Sequence, residues 1–392
     1  MTDIFILSAV RTPIGKFGGS LASLSAADMG EVAARAALER AGVSADQVEE
    51  TIFGNGRQAG GGPNVARQIS IRSGVPETVP AYTVNMACAS GMKSLTLAYD
   101  GIASGDRECV LAGGTESMSR LPYYLEARWG LRMGNQELVD GMYRDGFFCP
   151  MAKMVMGETA EVLADENKIG REEQDQFALA SQQKAENAIK AGRFKDEIVE
   201  VILEMKKGKS VFGVDEHPFP GASMEKLAKL GPVFSKTGTI TAGNSSGITD
   251  GAAAMVLASG EFVKRNGLKP LARIVGYASA GVNPRTMGIG PVPAMQKLEK
   301  KIGLGVKDFD LVELNEAFAA QVLACDRDLH FDRDRLNVNG GAIALGHPIG
   351  CTGTRITVTL LHEMLKRNSK RGVATLCVSG GMGMALAIEN AT

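Results

Sequence analysis

Histidine and paired cysteines are scarce in this chain of 392 residues, and each shortage excludes something. The four histidines, at 217, 330, 347 and 362, are scattered without metal-ligand spacing, so no metal is expected. Six cysteines (88, 109, 149, 325, 351 and 377) include no C-x-x-C and no close doublet. That favours free thiols in a reducing, cytoplasmic setting. Net charge is nearly absent at −1, which removes any general attraction to nucleic acid or an anionic membrane. An anionic ligand must therefore be held by local groups. No apolar run reaches the ~18 residues of a membrane span. The opening Met1-Thr2-Asp3-Ile4-Phe5 lacks the basic segment of a secretory signal. Although 48 glycines are present, none falls in G-x-x-x-x-G-K-[ST] or in a matched G-x-G-x-x-G unit, which argues against a P-loop or dinucleotide-binding enzyme.

What is present reads as an ordinary soluble chain, 44% hydrophobic and 22% charged, long enough for two or three domains. Its centre of gravity is Val84-Asn85-Met86-Ala87-Cys88-Ala89-Ser90-Gly91-Met92. Ala81-Tyr82-Thr83-Val84 reads as a buried strand. Met92, Leu95, Tyr99 and Ile102 then fall at helical spacing. A cysteine between a strand and a helix meets the positive end of that helix. There a thiol pKa can drop from roughly 8.5 to about 3.5–7.5, which gives a thiolate nucleophile near neutrality. A buried structural cysteine has the same local pattern, and this stretch alone leaves both open.

Along the chain, residues 4–9 read as a strand, 27–41 as a helix and 48–56 as a second strand. The strand at 108–112 ends in Gly113-Gly114-Thr115-Glu116. A similar order returns later, with a helix over 294–301 and strands at 309–316, 336–339 and 373–378. Pairing Asn55 with Asn315 gives an offset of 260 (315 minus 55), and pairing Gly113 with Gly380 gives 267 (380 minus 113). Two similar offsets point to one α/β unit used twice, with mainly parallel sheets covered by helices. Residues 121–249 differ in texture, carrying two charged helices (about 153–167 and 171–190) and repeated Pro and Gly breaks. They read as an inserted loop domain placed to cover a site.

Two further reactive groups fall at strand ends in the second half. His347 lies in the glycine-rich stretch 340–353, and Cys377 precedes Ser379-Gly380-Gly381. Ligands of such sheets bind at the carboxyl ends of strands. Asn315 and Glu316, after another strand, join the set.

These residues resemble the thiolase family over the full length. The resemblance rests on seven motifs in order. They are Ala9-Val10-Arg11-Thr12-Pro13-Ile14-Gly15, the Cys88 stretch, the segment from Ala112 to Ser119, Thr241-Ala242-Gly243-Asn244-Ser245-Ser246-Gly247, Asn315-Glu316-Ala317-Phe318, the run from Asn339 to Gly350, and that from Cys377 to Gly383. It implies an α/β fold of duplicated βαβαβαββ halves in a layered α-β-α-β-α core. Residues 1–120 with 250–271 would form the first half, 121–249 the loop domain, and 272–392 the second half. By the same resemblance Cys88 accepts an acyl group, His347 activates it, Cys377 moves the α-proton and Asn315 holds a water at the enolate oxygen. Met156, Ser246, Ala317 and Phe318 would line the path of coenzyme A, although Met156 also suits a core and Ser246 a turn. The implied reaction is reversible Claisen condensation of two acetyl-CoA to acetoacetyl-CoA and CoA. It needs no cofactor, since coenzyme A is substrate and product, and the implied assembly is a homotetramer.

Three departures from the family pattern stand out. Val155 replaces a histidine found in some short-chain members, Phe219 replaces a basic residue near the nucleotide, and Ser379 replaces a glycine. Longer 3-ketoacyl-CoA thiolysis is the alternative activity. A β-ketoacyl synthase, which pairs its cysteine with two histidines, fits less well because Cys377 occupies the second position. A non-catalytic thiolase-like lipid carrier fits less well because the reactive residues are kept. The segment from Ala127 to Gly134 resembles the loop through which relatives form tetramers.

Overall fold

The computed structural model describes residues 3–206 and 208–391. Its main sheet has ten strands, one of them the short Gly15–Lys16 strand that pairs beside the main path; the nine along the path are β1 (Ile4–Arg11), β2 (Glu50–Gly54), β3 (Ala81–Val84), β4 (Cys109–Ser117), β5 (Thr249–Ser259), β6 (Ala272–Gly281), β7 (Leu311–Leu314), β8 (Arg371–Val378) and β9 (Met382–Asn390). Their order is β7-β8-β9-β6-β1-β5-β4-β2-β3. From the centre outward, one half reads β1-β5-β4-β2 and the other β6-β9-β8-β7. The pairing senses match too: antiparallel, antiparallel, parallel. Within the sheet, the halves meet where Phe5 pairs with Arg273 and Ile6 with Ala272. The duplication is thus written in the topology.

Three sequence expectations need correction. The sheet is mixed, not mainly parallel, because β9 follows β8 through the tight turn at Ser379–Gly381 and must return antiparallel. Strand β3 is an edge strand with Tyr82 exposed, so it is not buried. No strand forms at 336–339 beyond a single bridge at Leu336. There Asn337 turns left-handed (φ 44°), and its side chain bonds both the amide and the carbonyl of Leu314, taking the place of backbone pairing.

Period-2 alternation builds the layers. The α-helices of eight residues or more are α1 (Ala26–Ala41), α2 (Val65–Arg72), α3 (Ser90–Ala103), α4 (Met156–Glu166), α5 (Arg171–Lys190), α6 (Pro291–Ile302), α7 (Ala319–Leu329) and α8 (Ile349–Arg367). Val110 and Ala112 of β4 pack against Met92 and Leu95 of α3, and against Ile356 and Leu360 of α8. Their neighbours Cys109 and Leu111 face Met29 and Ala33 of α1 on the other side. In β8, Ala374 and Leu376 face the same central helices while Val373 faces Leu298 of α6. Helices α3 and α8 therefore lie between two sheet halves, with α1–α2 and α6–α7 outside, giving the α-β-α-β-α order. Each fully buried Ile or Leu at this centre contributes about 1.5–3 kcal/mol relative to exposure.

Helix ends follow local chemistry. Ser25 and Asp28 form a reciprocal cap at the start of α1, and Gly42, at φ 64°, closes it. Residues 118–248, between β4 and β5, carry α4 and α5, which pack on α7. No helix among the described residues is long and apolar enough to cross a membrane.

Candidate active site

Cys88 sits in a short 3-10 turn, Ala87–Ala89, immediately before α3. The turn is tight enough to hold Ala87 at φ 45°, a left-handed conformation that an L-residue adopts only when its neighbours enforce it. They do: Asn85 Oδ1 accepts from the Ala87 amide, and Ser90 Oγ donates to the Ala87 carbonyl. This aims Cys88 toward the carboxyl ends of the strands.

His347 is placed by a different device. Gly346 has φ 100°, and a Cβ there would meet Thr249 at 2.4 Å, so only glycine fits. The His347 amide bonds the Gly247 carbonyl at 3.1 Å. Nδ1 lies 2.6 Å from Thr352 Oγ, whose own proton is directed to the Pro348 carbonyl at 3.0 Å. The arrangement is satisfied when Nδ1–H donates to Thr352, which leaves Nε2 bare; Nε2 is buried without a protein partner. Burial, with Arg355 and Arg57 nearby, pushes the imidazole pKa down to about 3, so it rests neutral.

Cys377, in β8, precedes the turn in which Gly380 and Gly381 take φ 90° and 87°. Ser379 needs no positive φ, which answers the departure noted in the sequence. Its amide and that of Cys88 itself act on the Cys88 sulphur in the direction of easier ionisation. Burial raises the Cys88 thiol, opposed by Arg57 and these two amides, so the low resting pKa expected from the helix end is overridden by desolvation. Cys377 is pushed well above the usual thiol range by burial and by Cys88. At rest the site is two thiols and a neutral imidazole.

All three groups line one cavity of about 410 Å³, shared with Arg57, Ser379 and Val155. Met156, Ser246, Ala317 and Phe318 are on its wall as well. Met156 and Phe318 also pack in the apolar cluster around α4, so contact and core roles coexist. Asn315 is not on the wall. It follows the end of β7, one strand from Cys377, its amide bonded to the Thr375 carbonyl, and both side-chain polar atoms are buried without protein partners. Glu316 serves the frame: it accepts from Ser181, Asn337 and the Ile343 amide, fixing the glycine-rich stretch that leads to His347.

Sequence reasoning missed Arg57, Thr352 and Glu116. Glu116 accepts from the Gly56, Arg57 and Gly350 amides and from Asn55, pinning the start of α8 to β4. The available signal was position, since Arg57 follows the carboxyl end of β2. Among the described residues no group of three or more His, Cys, Asp or Glu is arranged to hold a metal ion.

The family model of the thiolase N-terminal domain matches residues 4–261, and that of the C-terminal domain matches 268–390. The chain belongs to the thiolase family. It is 52% identical to an acetyl-CoA acetyltransferase of Cupriavidus necator over 99% of this chain and 100% of that protein. The acetyl-CoA acetyltransferase structure from Syntrophomonas wolfei superposes with TM-score 0.98 at 42% identity, covering 100% of both chains. Human mitochondrial 3-ketoacyl-CoA thiolase in complex with CoA gives TM-score 0.96 at 45% identity, covering 100% of this chain and 98% of that one. Within this thiolase, Phe219 is 55% exposed, and the Lys226 ammonium stands 5.2 Å over its ring.

Proposed function

We propose that this thiolase condenses two acetyl-CoA to acetoacetyl-CoA and CoA, reversibly, through an acyl-Cys88 intermediate. The observation that carries the reading is the convergence of Cys88, His347 and Cys377 on one cavity. Their resting protonation states dictate a balanced sequence. His347 Nε2 takes the Cys88 proton as the sulphur attacks the thioester carbonyl. The departing CoA thiolate takes the proton of Cys377, leaving acyl-Cys88, an imidazolium and a Cys377 thiolate. That thiolate removes the α-proton of the second acetyl-CoA, and His347 Nε2–H donates to the enolate oxygen, assisted by a water on Asn315. Carbon–carbon bond formation expels Cys88, which recovers its proton from His347. No metal or redox cofactor takes part.

Met156, Ser246, Ala317 and Phe318 flank the pantetheine arm. Lys226, over Phe219, supplies charge toward the nucleotide phosphates where relatives carry a basic residue at 219. Thiolysis of longer 3-ketoacyl-CoA is the second reading, favoured by Val155 on the cavity wall and by likeness to the human 3-ketoacyl-CoA thiolase. A thiolysis rate series over acyl length decides between them. A maximum at acetoacetyl-CoA supports the first reading, and a maximum at longer chains replaces it. We also propose a cytoplasmic homotetramer, supported by Trp129 and Met133, 95% and 93% exposed on the segment after β4. Light scattering that gave a monomer would refute it.

A further inference from the structure

Arg57 is 7% exposed on the wall of the cavity that holds Cys88. Its guanidinium bonds two carbonyls, Gly146 at 2.7 Å and Gly56 at 3.3 Å, both uncharged. Among the described residues no carboxylate forms an ion pair with it. Glu116 is the nearby acid, but its oxygens are engaged by Asn55 and three backbone amides, one of them Arg57's own. Arg57 favours the ionised form of Glu116 without pairing with it, and its Nε is buried without a partner, so the guanidinium still gains from an anion formed beside it. The other titratable groups around Cys88 supply none at rest: His347 is neutral, and Cys377 is a thiol.

We propose that Arg57 is a positioning residue whose guanidinium is the counter-charge for the Cys88 thiolate formed when His347 takes its proton. The proposal rests on Cys88 as nucleophile. Arg57 acts on Cys88 in the direction of easier ionisation, Glu116 opposes it, and Arg57 and Arg355 both act on His347. The two carbonyl bonds hold the fork in place, so the charge meets the thiolate without reorganisation.

The test reads the field at the sulphur directly. Cys88 of the intact enzyme is alkylated with neutral iodoacetamide and anionic iodoacetate across pH, the modified peptide being identified by mass spectrometry. In the wild type the iodoacetate-to-iodoacetamide rate ratio should exceed that of glutathione in the same buffer. Arg57→Gln can still donate to Gly146 but carries no charge; it should lower that ratio about fivefold and raise the midpoint of alkylation by about one unit. Arg57→Lys should restore both. A wild-type ratio no higher than glutathione's overturns the proposal without any variant. So does an unchanged midpoint in Arg57→Gln, the result a purely structural clamp would give. Failure of the nucleophile reading is separate: it would show as thiolysis surviving Cys88→Ala, whatever the alkylation ratios.

Discussion

His347 shows how surroundings set the role of a side chain. An exposed imidazole titrates near 6.5, but this one is held neutral until about pH 3 by burial and two arginines. The base form is the one populated above the pKa, so Nε2 stays available across the neutral and mildly acidic range. Acylation of the enzyme by acetyl-CoA should therefore show no ionisation near pH 6.5 when its rate is followed from pH 5 to 8. A bend at 6.5 would mean an ordinary exposed histidine and contradict the geometry around Thr352. At this scale the sequence was informative about Cys88, His347 and Cys377, because each is a reactive side chain where an apolar strand or a glycine-rich stretch ends. For Arg57 it offered only a position after a strand, which any solvated arginine can share. Burial is a property of what packs around a residue, and local sequence does not carry it.

Among the elements, the crossing of α3 and α8 over β4 controls where the reactive groups end up. A Cβ on Gly114 would lie 2.3 Å from the Gly350 carbonyl and 2.9 Å from Gly91 Cα, backbone atoms on both helices. Neither helix can yield without moving Cys88 or His347, which sit just before them. Gly114→Ala should destabilise the protein by about 1–3 kcal/mol or more and lower its melting temperature in a thermal scan; an unchanged melting point would show that the crossing is loose. The same glycines explain a misread register. Gly113-Gly114 looks like a strand-ending turn, yet β4 runs on through it to Ser117, because the missing side chains serve helix packing. In the sheet, Gly54 pairs with Gly114 as Leu314 pairs with Thr375, so the repeat offset here is 261 (375 minus 114) and not 267. The helices fared better: α5 falls on its expected span, and Gly303 closes α6 left-handed at φ 72°. Caps and periodicity are local, whereas Asn337's replacement of a strand depends on a distant partner.

Over the whole molecule, the covering segment is fastened to the sheet by charge. Arg11, fully buried at the end of β1, bonds Glu197 at 2.6 Å and Asp215 at 2.7 and 2.9 Å. Both acids belong to the segment between β4 and β5. Arg11→Met would leave two buried carboxylates without a cation, a loss of about 3–5 kcal/mol; a melting temperature equal to wild type would deny the link. The arginine of that early motif is thus a structural tie. The layered architecture was legible from strand–helix alternation and the repeat, while the antiparallel returns of β5 and β9 depend on connections that composition does not describe. What joins these scales is the covalent step proposed at the Cys88 sulphur. Incubating the intact enzyme with acetyl-CoA and mapping the acetyl group by peptide mass spectrometry reads that step directly. The account expects acetyl on the peptide carrying Cys88 in the wild type, and also in Cys377→Ala, which should then form no acetoacetyl-CoA. Acetyl found on another residue, or acetoacetyl-CoA still produced by Cys88→Ala, would contradict it.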